Sequence, residues 1–333
     1  MSLLKLTSLQ VSIGPVKAVR DVSLNLEAGE CRALVGESGC GKSVTAMTLL
    51  GLMPNAAKIS AEEWWFAGRD MTQIKEREWR QLQGNQIAMI FQNPMTALDP
   101  TQTIGAQIAE PLRIHKGLSR REAKMRAIAL LERLAIANPA QRAEQYPFEF
   151  SGGMLQRAMI AMAVVCEPEL LIADEPTTAL DVTVQAEVLS LLQEMRESSG
   201  TAMLFITHDL GVVAEIADSV SVMYAGQTVE SGSLHDVFSR EAHPYTQALK
   251  RAVPSLENPK PLEAIAGTPP DLRQPPSGCG FAARCSKRMA ICEESPPLMS
   301  CGEDHLARCW LWHKDHPERW REAEAVSLLG GKS

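Results

Sequence analysis

A glycine-rich stretch constrains this chain more than any other feature of its sequence. Gly36–Ser43 reads Gly-Glu-Ser-Gly-Cys-Gly-Lys-Ser and fits the pattern G-x-x-x-x-G-K-[ST]. It follows a short apolar run, Cys31–Val35, and precedes a helical pattern that Pro54 ends. In such a loop the backbone N–H groups curl around phosphate oxygens, and the helix N-terminus adds the positive end of its dipole. The sequence therefore predicts a phosphate-binding loop between a buried strand and a helix.

Individual residues of this loop have separate predicted roles. Lys42 is expected to reach the β- and γ-phosphates, and the hydroxyl of Ser43 to ligate Mg²⁺. Cys40 occupies a loop position that tolerates several residues, and a thiol at a helix N-terminus is typically acidic and open to oxidation. The residues assigned to the phosphate loop are Gly36, Glu37, Ser38, Gly39, Cys40, Gly41, Lys42 and Ser43.

A pair of acidic residues follows a second apolar run. Leu170–Ala173 predicts a buried strand, which is followed directly by Asp174 and Glu175. Asp174 is expected to hold Mg²⁺ through water or through Ser43, and Glu175 to polarise the attacking water as a general base. An acidic strand end beside a turn at Pro176 is common by itself, so this assignment depends on the presence of the phosphate loop.

The order of predicted elements indicates the fold class. Short apolar strands alternate with helices, which is typical of a parallel sheet covered on both faces, and alternating apolar residues near the N-terminus predict an antiparallel sheet. Residues 101–166 are mostly helical and form an insert. Seven of the 20 prolines lie between Pro254 and Pro276 and indicate a linker. We therefore divide the chain into residues 1–253, a Pro-rich linker at 254–277 and a Cys-rich segment at 278–333.

The composition excludes some classes of protein. Hydrophobic residues make up 45% and charged residues 22% of the 333 residues, which is typical of a globular protein. The net charge of −7 gives no general attraction to nucleic acid, so no nucleic-acid partner is expected. The longest apolar run, Ala158–Cys166, is far shorter than the roughly 20 residues that cross a bilayer, and the N-terminus lacks a signal-peptide pattern. We expect neither a membrane pore nor an exported protein.

Four further motifs complete an ordered set with the phosphate loop and the acidic pair. They are Ile90–Pro94 around Gln92, Phe150–Met154, Ala179–Asp181, and Ile206–Asp209 around His208. In this order, over about residues 1–250, the set resembles the nucleotide-binding subunits of ATP-binding-cassette (ABC) transporters. The four correspond to that family's Q-loop, signature (usually written LSGGQ), D-loop and switch histidine. The resemblance implies an α/β fold, a P-loop ABC ATPase cassette with a parallel core sheet, an antiparallel β subdomain and a helical subdomain at about 101–166.

The resemblance also implies how the nucleotide is held. Two cassettes would pair head to tail, with ATP between the phosphate loop of one chain and Ser151, Gly152 and Gly153 of the other. These three residues precede an apolar helical stretch, where bare N–H groups suit a phosphate. The hydroxyl of Ser151 also fits the plainer role of a helix N-cap.

The catalytic set that the resemblance implies is Glu175, His208 and Gln92. His208 would contact the γ-phosphate, although a histidine after an apolar strand is more often structural. Gln92 would ligate Mg²⁺ and link the metal site to the helical insert, which would contact a membrane partner. Asp181 would belong to the nucleotide site.

Two positions depart from the family pattern. Phe150 and Met154 stand where the commonest signature has Leu and Gln, while the three phosphate-facing residues are intact. The stretch Val11–Val16 carries no aromatic ring, although the family often stacks one on adenine near this point. We expect Ile13 or Val16 to pack on the base instead.

Five of the eight cysteines lie after the linker. Cys279, Cys285, Cys292 and Cys309 have the spacing C-x₅-C-x₆-C-x₁₆-C, with Cys301 between the last two. Four thiolates can bind Zn²⁺ or hold a [4Fe–4S] cluster, although the spacings are wider than the CxxC pairs usual for zinc. Buried thiols without a metal are the plainer alternative. The residues alone leave these three interpretations open.

A second resemblance favours one of them. Gly278–Cys285, with the pattern G-C-x-F-x-x-R-C, resembles the C-terminal extension of the oligopeptide and dipeptide importer ATPases, as do His243–Thr246 and Glu175–Val182. Some members of that subfamily carry a [4Fe–4S] cluster on four such cysteines. The resemblance therefore implies a cluster on Cys279, Cys285, Cys292 and Cys309, with Zn²⁺ as the alternative, and leaves Cys301 outside the ligand set.

The implied function is the ATP-binding and ATP-hydrolysing subunit of an importer of di- and oligopeptides. The implied partners are a second cassette of a different chain, two transmembrane permease subunits and an extracytoplasmic solute-binding protein, with the chain peripheral at the cytoplasmic face of the inner membrane. A related branch moves nickel or other small solutes.

Two other classes of protein are alternatives to an importer subunit. The acidic charge opposes a soluble ATPase that acts on nucleic acid or ribosomes, and Glu175 and His208 oppose a metal-responsive binding module.

Overall fold

The computed structural model describes residues 2–177, 182–252 and 264–313. The strands are β1 (Ser2–Ile13), β2 (Val16–Glu27), β3 (Cys31–Val35), β4 (Ala57–Ser60), β5 (Glu63–Phe66), β6 (Arg69–Asp70), β7 (Ile87–Ile90), β8 (Leu170–Asp174), β9 (Ala202–Thr207), β10 (Ser219–Tyr224), β11 (Gln227–Ser233), β12 (Met299–Gly302) and β13 (His305–Ala307). The α-helices are α1 (Lys42–Leu49), α2 (Glu76–Leu82), α3 (Pro94–Ala97), α4 (Ile104–His115), α5 (Arg120–Arg133), α6 (Pro139–Arg142), α7 (Gly152–Val164), α8 (Val182–Ser199), α9 (Leu210–Ile216), α10 (Leu234–Ser239) and α11 (Pro244–Arg251). Short 3₁₀ turns lie at Pro147–Glu149, Ala282–Arg284, Ala290–Glu293 and Trp310–Trp312.

The N-terminal strands form the expected antiparallel sheet. The long strands β1 and β2 pair with each other, β4 and β5 pair with the other edge of β1, and β6 pairs with β5. Buried positions recur along β1 and β2 because successive side chains of a strand point to opposite faces. Leu4, Leu6 and Leu9 bury their side chains in a core with Trp64 and Phe66.

The central sheet confirms the predicted α/β fold. Its order is β11-β10-β3-β9-β8-β7, and the five strands from β10 to β7 run parallel. Strands β7, β8, β9 and β10 are buried along their whole length, as expected where both faces of a parallel sheet are covered. A single parallel pairing of Gln227 with Asp21 joins this sheet to the antiparallel one.

Helices α4 to α7 lie in the interval where the sequence predicts a helical insert. Helix α5 begins at a capping box, in which Ser119 and Glu122 bond each other's backbone N–H groups. Ile108, Leu112 and Leu131 are fully buried in a core that continues into the central sheet. Among the described residues, no helix is both long enough and apolar enough to cross a membrane.

The described part of the C-terminal region is built into the same sheet and core. Strand β13 pairs with β11, where Ala307 lies opposite Glu230, and β12 pairs with β13. Phe281 packs against Tyr224 and Tyr245, with ring centroids 5.3 and 5.4 Å away. The hydrophobic effect therefore holds this region against the α/β core.

Two further hydrogen bonds tie the described end of the Pro-rich linker to the N-terminal strands. The N–H of Lys17 donates to the carbonyl oxygen of Leu272 at 2.9 Å. The guanidinium of Arg20 donates to the carbonyl oxygen of Pro276 at 3.0 Å. Residues 264–277 thus follow the surface of the cassette.

Candidate active site

Three glycines shape the phosphate loop. Gly36, Gly39 and Gly41 have φ angles of 155°, 79° and 105°, which L side chains rarely adopt. A Cβ on Gly36 would lie 2.2 Å from the carbonyl oxygen of Met223, and one on Gly41 would lie 2.5 Å from that of Ala18. The loop is pressed against neighbouring backbone, so its path from β3 into α1 is fixed.

The side chain of Lys42 folds back onto the backbone of this loop. Its side chain is buried, and its ammonium group donates to the carbonyl oxygens of Gly36 at 2.7 Å and Glu37 at 3.2 Å. The positive charge thus lies over the loop, where the sequence predicts that it contacts phosphates. Ser38 and Gly39 are the exposed residues of the turn.

The prediction of an acidic thiol at Cys40 was wrong. The Cys40 side chain is buried, and desolvation raises its pKa above the ordinary value for a thiol. The charge of Lys42 acts in the opposite direction but is the smaller effect. A buried thiol with a raised pKa is the opposite of the exposed, acidic thiol that reacts readily with oxidants.

The predicted magnesium ligands meet at the end of β8. Ser43, at the start of α1, lies near enough to the carboxylate of Asp174 for its hydroxyl to lower the pKa of that group. Burial is the larger effect and raises the pKa of Asp174, while the Ser43 hydroxyl and the charge of Lys42 oppose that rise. A buried carboxylate beside a hydroxyl supplies the hard oxygen atoms that Mg²⁺ prefers, so these two residues fit the ion.

The three predicted catalytic side chains form one hydrogen-bonded group. The Gln92 amide donates to Oε2 of Glu175 at 2.8 Å, and Nδ1 of His208 lies 3.2 Å from Oε1 of the same carboxylate. The Glu175 side chain is 15% exposed and that of His208 is 63% exposed. The group is therefore open to solvent at His208.

The backbone fixes Glu175 in this group. Its φ is 48°, in the left-handed region that non-glycine residues seldom adopt, and its N–H donates to the carbonyl oxygen of Ile206 at 2.9 Å. Such strained positions are concentrated at functional sites, where the surrounding structure enforces them. Parallel strands β3, β8 and β9 end at the same edge of the sheet, which is where α/β proteins bind ligands.

The Ser151–Gly153 segment lies apart from this group. Ser151 caps α7, with its hydroxyl accepting from the N–H of Met154 at 3.4 Å. Ser151 and Gly152 are exposed, and a Cβ on Gly152 would meet no atom within 4 Å. Within 2–177, 182–252 and 264–313, no hydrogen bond joins this segment to the phosphate loop. Asp181, the predicted D-loop residue, lies outside the described residues.

The four predicted cysteine ligands line one small pocket. Cys279, Cys285, Cys292 and Cys309 share it with Phe281, and each is a free thiol. Burial raises the pKa of Cys309 to about 12, and the other three cysteines add to that rise. Among the described residues no group of three or more His, Cys, Asp or Glu side chains forms a ready-made metal cage. The four thiols are suitable ligands for a soft metal, but their side chains are not arranged as a ready-made ligand set.

Cys301 points elsewhere. Its thiol donates to the carbonyl oxygen of His305 at 3.4 Å, and burial, followed by the charge of Glu230, raises its pKa to about 12. It does not line the pocket of the other four.

Sequence reasoning missed a set of contacts between the phosphate loop and residues that follow strand β11 in the chain. Arg284 forms an ion pair with Glu37, and the hydroxyl of Tyr245 accepts the N–H of Glu37. In the sequence, the patterns that contain Arg284 and Tyr245 indicate only the resemblance to the importer ATPases. An arginine flanked by apolar residues and cysteines was the available signal, since a buried guanidinium requires an acidic partner.

Two family models match this chain. Residues 19–178 match the model described as ABC transporter, and residues 229–292 match that described as oligopeptide/dipeptide transporter, C-terminal region. The second match spans parts of the α/β core as well as three of the five C-terminal cysteines.

Several relatives are similar over almost the full chain. The dipeptide transport ATP-binding protein DppD of Bacillus subtilis is 49% identical over 301 residues, covering 90% of this chain and 90% of that protein. The oligopeptide transport ATP-binding protein OppD of the same organism is 48% identical over 309 residues, covering 92% and 86%.

Solved structures give the same fold. The ATP-binding cassette MJ0796, in a dimeric post-hydrolysis state bound to ADP and Pi, superposes with a TM-score of 0.62 at 26% identity, covering 69% of this chain and 98% of that one. CbiO1 of Clostridium perfringens, described as part of the ABC transporter complex cbiONQ, gives a TM-score of 0.61 at 26% identity, covering 72% and 92%.

Proposed function

The chain belongs to the ABC transporter family, among relatives that are ATP-binding proteins of peptide transport, and we propose that its ATP hydrolysis drives the uptake of di- and oligopeptides. The observation that carries the chemistry is the group of Gln92, Glu175 and His208 beside the Asp174–Ser43 pair. A base, a polar positioning group and oxygen ligands thus lie together at one edge of the sheet.

The residues have distinct tasks in this proposal. The loop N–H groups and Lys42 bind and orient the phosphates. Mg²⁺, held by Ser43, Asp174 and Gln92, would neutralise charge on the phosphate oxygens. Glu175 takes a proton from the attacking water, and His208 orients the γ-phosphate.

A second cassette completes the site. Ser151, Gly152 and Gly153 offer N–H groups at the N-terminus of α7, and their exposure leaves them accessible to another chain. MJ0796, a structural relative, is dimeric. We propose that the partner is a different cassette chain, so that each ATP lies between the loop of one chain and this segment of the other.

The remaining partners follow from the proposed transport role. Two permease subunits would form the membrane path, and an extracytoplasmic solute-binding protein would select the solute. The chain would sit peripherally at the cytoplasmic face of the inner membrane. The alternative solute is nickel or another small molecule, because the chain's own residues contact only nucleotide and partner subunits in this arrangement.

Purification of the tagged chain from detergent-solubilised membranes, followed by reconstitution into vesicles, tests this function. We expect two multi-span proteins and a second cassette to co-purify, and the vesicles to take up labelled dipeptide in the presence of ATP. A complex that takes up nickel but no peptide would favour the alternative solute. Recovery of the chain alone, or with ribosomes, would exclude transport.

We further propose that Cys279, Cys285, Cys292 and Cys309 hold a [4Fe–4S] cluster, with Zn²⁺ as the alternative. The support is that the four thiols line one pocket, since a metal would displace their protons and draw the sulfur atoms together. Iron, acid-labile sulfide and zinc should be measured after anaerobic purification. Cys309→Ser should lose the metal and Cys301→Ser should retain it. Absence of both metals from the wild-type chain would leave reduced thiols as the correct interpretation.

A further inference from the structure

One arginine of the C-terminal region has all its hydrogen-bond donors satisfied, two of them by the phosphate loop. The guanidinium of Arg284 binds both carboxylate oxygens of Glu37, at 2.7 and 3.0 Å. Its other N–H groups donate to the hydroxyl of Tyr224 at 3.2 Å and to the carbonyl oxygens of Ile265 at 3.1 Å and Ala266 at 2.9 Å. A guanidinium has five such donors, so the orientation of Arg284 is fixed.

The surroundings strengthen this ion pair. The Arg284 side chain is only 5% exposed and that of Glu37 is 25% exposed. The guanidinium carbon lies 5.8 Å from the centre of the Tyr224 ring and 5.9 Å from that of Phe281. A bidentate pair with limited access to water is stronger and more directional than a surface pair.

Glu37 is held at three points. Its carboxylate binds Arg284, its N–H donates to the hydroxyl of the fully buried Tyr245 at 2.9 Å, and its carbonyl oxygen accepts from Lys42 at 3.2 Å. Two of these three contacts come from residues that follow the α/β strands in the chain. The shape of the phosphate loop therefore depends on residues outside its own motif.

The charge of Glu37 explains why the pair matters for nucleotide. A carboxylate in a loop that must receive a polyphosphate repels the ligand, because like charges disfavour each other at short range. The Arg284 guanidinium neutralises this carboxylate and is itself fixed by the Tyr224 hydroxyl and by the carbonyl oxygens of residues 265 and 266. The loop N–H groups then face the phosphate without a competing negative charge.

We propose that Arg284 is a positioning residue of the ATP site, which acts through Glu37, and that the C-terminal Cys-rich region is thereby a working part of the nucleotide site. The inference rests on the assignment of Gly36–Ser43 as the ATP-binding loop. The hydrogen bond from Lys17 to Leu272 joins the linker that precedes this region to a residue next to the predicted adenine stretch.

Equilibrium binding of Mg-ATP to the purified full-length chain tests this role. Arg284→Gln should weaken ATP binding about tenfold, within the usual range of coupling between sites. Arg284→Lys keeps the positive charge but cannot make two parallel hydrogen bonds to the Glu37 carboxylate. Its ATP affinity should lie between those of the wild type and Arg284→Gln. Arg273→Gln is the matched control, because Arg273 lies in the adjoining linker and pairs with Asp271 at the surface. This control should bind ATP as the wild type does.

A double substitution separates positioning from simple structural support. If Arg284 acts by neutralising Glu37, the pair Glu37→Gln with Arg284→Gln should bind ATP more tightly than Arg284→Gln alone, because the double variant leaves no unpaired carboxylate in the loop. A double variant as weak as Arg284→Gln alone would overturn the proposal, since Arg284 would then act through packing. In the assembled transporter, Arg284→Gln should raise KM for ATP and leave kcat within about twofold.

The outcomes also distinguish this inference from the proposed function. Failure of the wild-type chain to bind ATP would remove the basis of both. Normal ATP binding by the wild type and by Arg284→Gln would overturn the inference alone. Circular dichroism and the thermal midpoint should be recorded for each variant. If Arg284→Gln does not fold, Arg284→Lys with and without Glu37→Gln provides the same comparison.

Discussion

The phosphate loop and the Cys-rich C-terminal region differ in how their structure is specified. The backbone angles of Gly36–Ser43 follow from its own sequence, because its three glycines adopt φ values that other residues avoid. The C-terminal region has short 3₁₀ turns and two short strands, and it depends on contacts with β11, α11 and Tyr224. A motif can thus identify the first region, whereas contacts with distant residues define the second.

The two regions are also in contact, although their structures are specified in different ways. Arg284 and Tyr245 both bind Glu37. A loop whose backbone angles follow from its own glycines is therefore also held by residues far away in the chain. Substitutions can test each region and then the contact between them, from the largest expected effect to the smallest.

The largest effect is expected at the catalytic carboxylate. Glu175→Gln should lower ATP turnover roughly 10²- to 10⁴-fold, the usual contribution of a general base, because an amide cannot take a proton from water. ATP binding should be nearly unchanged. Steady-state ATPase assays and ATP titrations measure both quantities. Glu215→Gln, at an exposed position of α9, is the control and should hydrolyse ATP normally. Undiminished turnover in Glu175→Gln would remove this residue from the role of base.

The second prediction concerns the attachment of the C-terminal region. Glu230 is fully buried; its carboxylate accepts the N–H groups of Ala242 and His243, both at 2.8 Å, and lies 2.9 Å from Nε2 of His305. Glu230→Gln replaces an acceptor by a donor there and should lower the free energy of unfolding by about 3–5 kcal/mol.

Urea unfolding of the full chain checks this value. Asp271→Asn, which removes a surface partner of Arg273, should leave the unfolding midpoint unchanged. If Glu230→Gln were equally neutral, the C-terminal region would be an appendage and not part of the cassette core.

The third prediction tests the hydrogen bond between the backbone of the phosphate loop and the side chain of Tyr245 in α11. Tyr245→Phe removes the hydroxyl that accepts the N–H of Glu37 and leaves a partly buried donor without a partner. We expect ATP binding to weaken about three- to tenfold. Tyr146→Phe, which removes an exposed hydroxyl, is the control. Equal ATP affinity in both variants would restrict the positioning role to Arg284.

The smallest effect is expected from a buried histidine, His243, whose ring centroid lies 6.0 Å from that of Phe281 in the C-terminal region. Burial lowers the pKa of His243 from 6.5 to about 3. Between these values the unfolded chain binds a proton that the folded chain does not, so stability falls as pH decreases through that window. His243→Asn keeps a side-chain acceptor for the N–H of Tyr245 but does not titrate. Its unfolding free energy should therefore depend less steeply on pH between about 6.5 and 5, as urea unfolding at several pH values would reveal.

Sequence patterns predicted much of the fold. The parallel central sheet, the antiparallel N-terminal sheet and the ABC cassette were confirmed, because side-chain periodicity and motif order are visible along the chain. Patterns also predicted Gln92, Glu175 and His208 as a set, but their hydrogen bonds through one carboxylate depend on how β7, β8 and β9 lie side by side.

Other features could not be predicted from local patterns. Cys40 was expected to be acidic because it precedes a helix, yet burial raises its pKa, and burial is a property of the whole fold. The linker and the Cys-rich region look separate by composition. Proline and cysteine content says nothing about which surface a segment covers.

Residue type and spacing within one short segment were enough to predict the phosphate loop and the acidic strand end. The contacts of Arg284 and Tyr245 with Glu37, and the pocket shared by Cys279, Cys285, Cys292 and Cys309, depend on the tertiary structure. A buried ion pair forms between residues that the packing of distant segments brings together, and Arg284 and Glu37 are 247 residues apart in the chain.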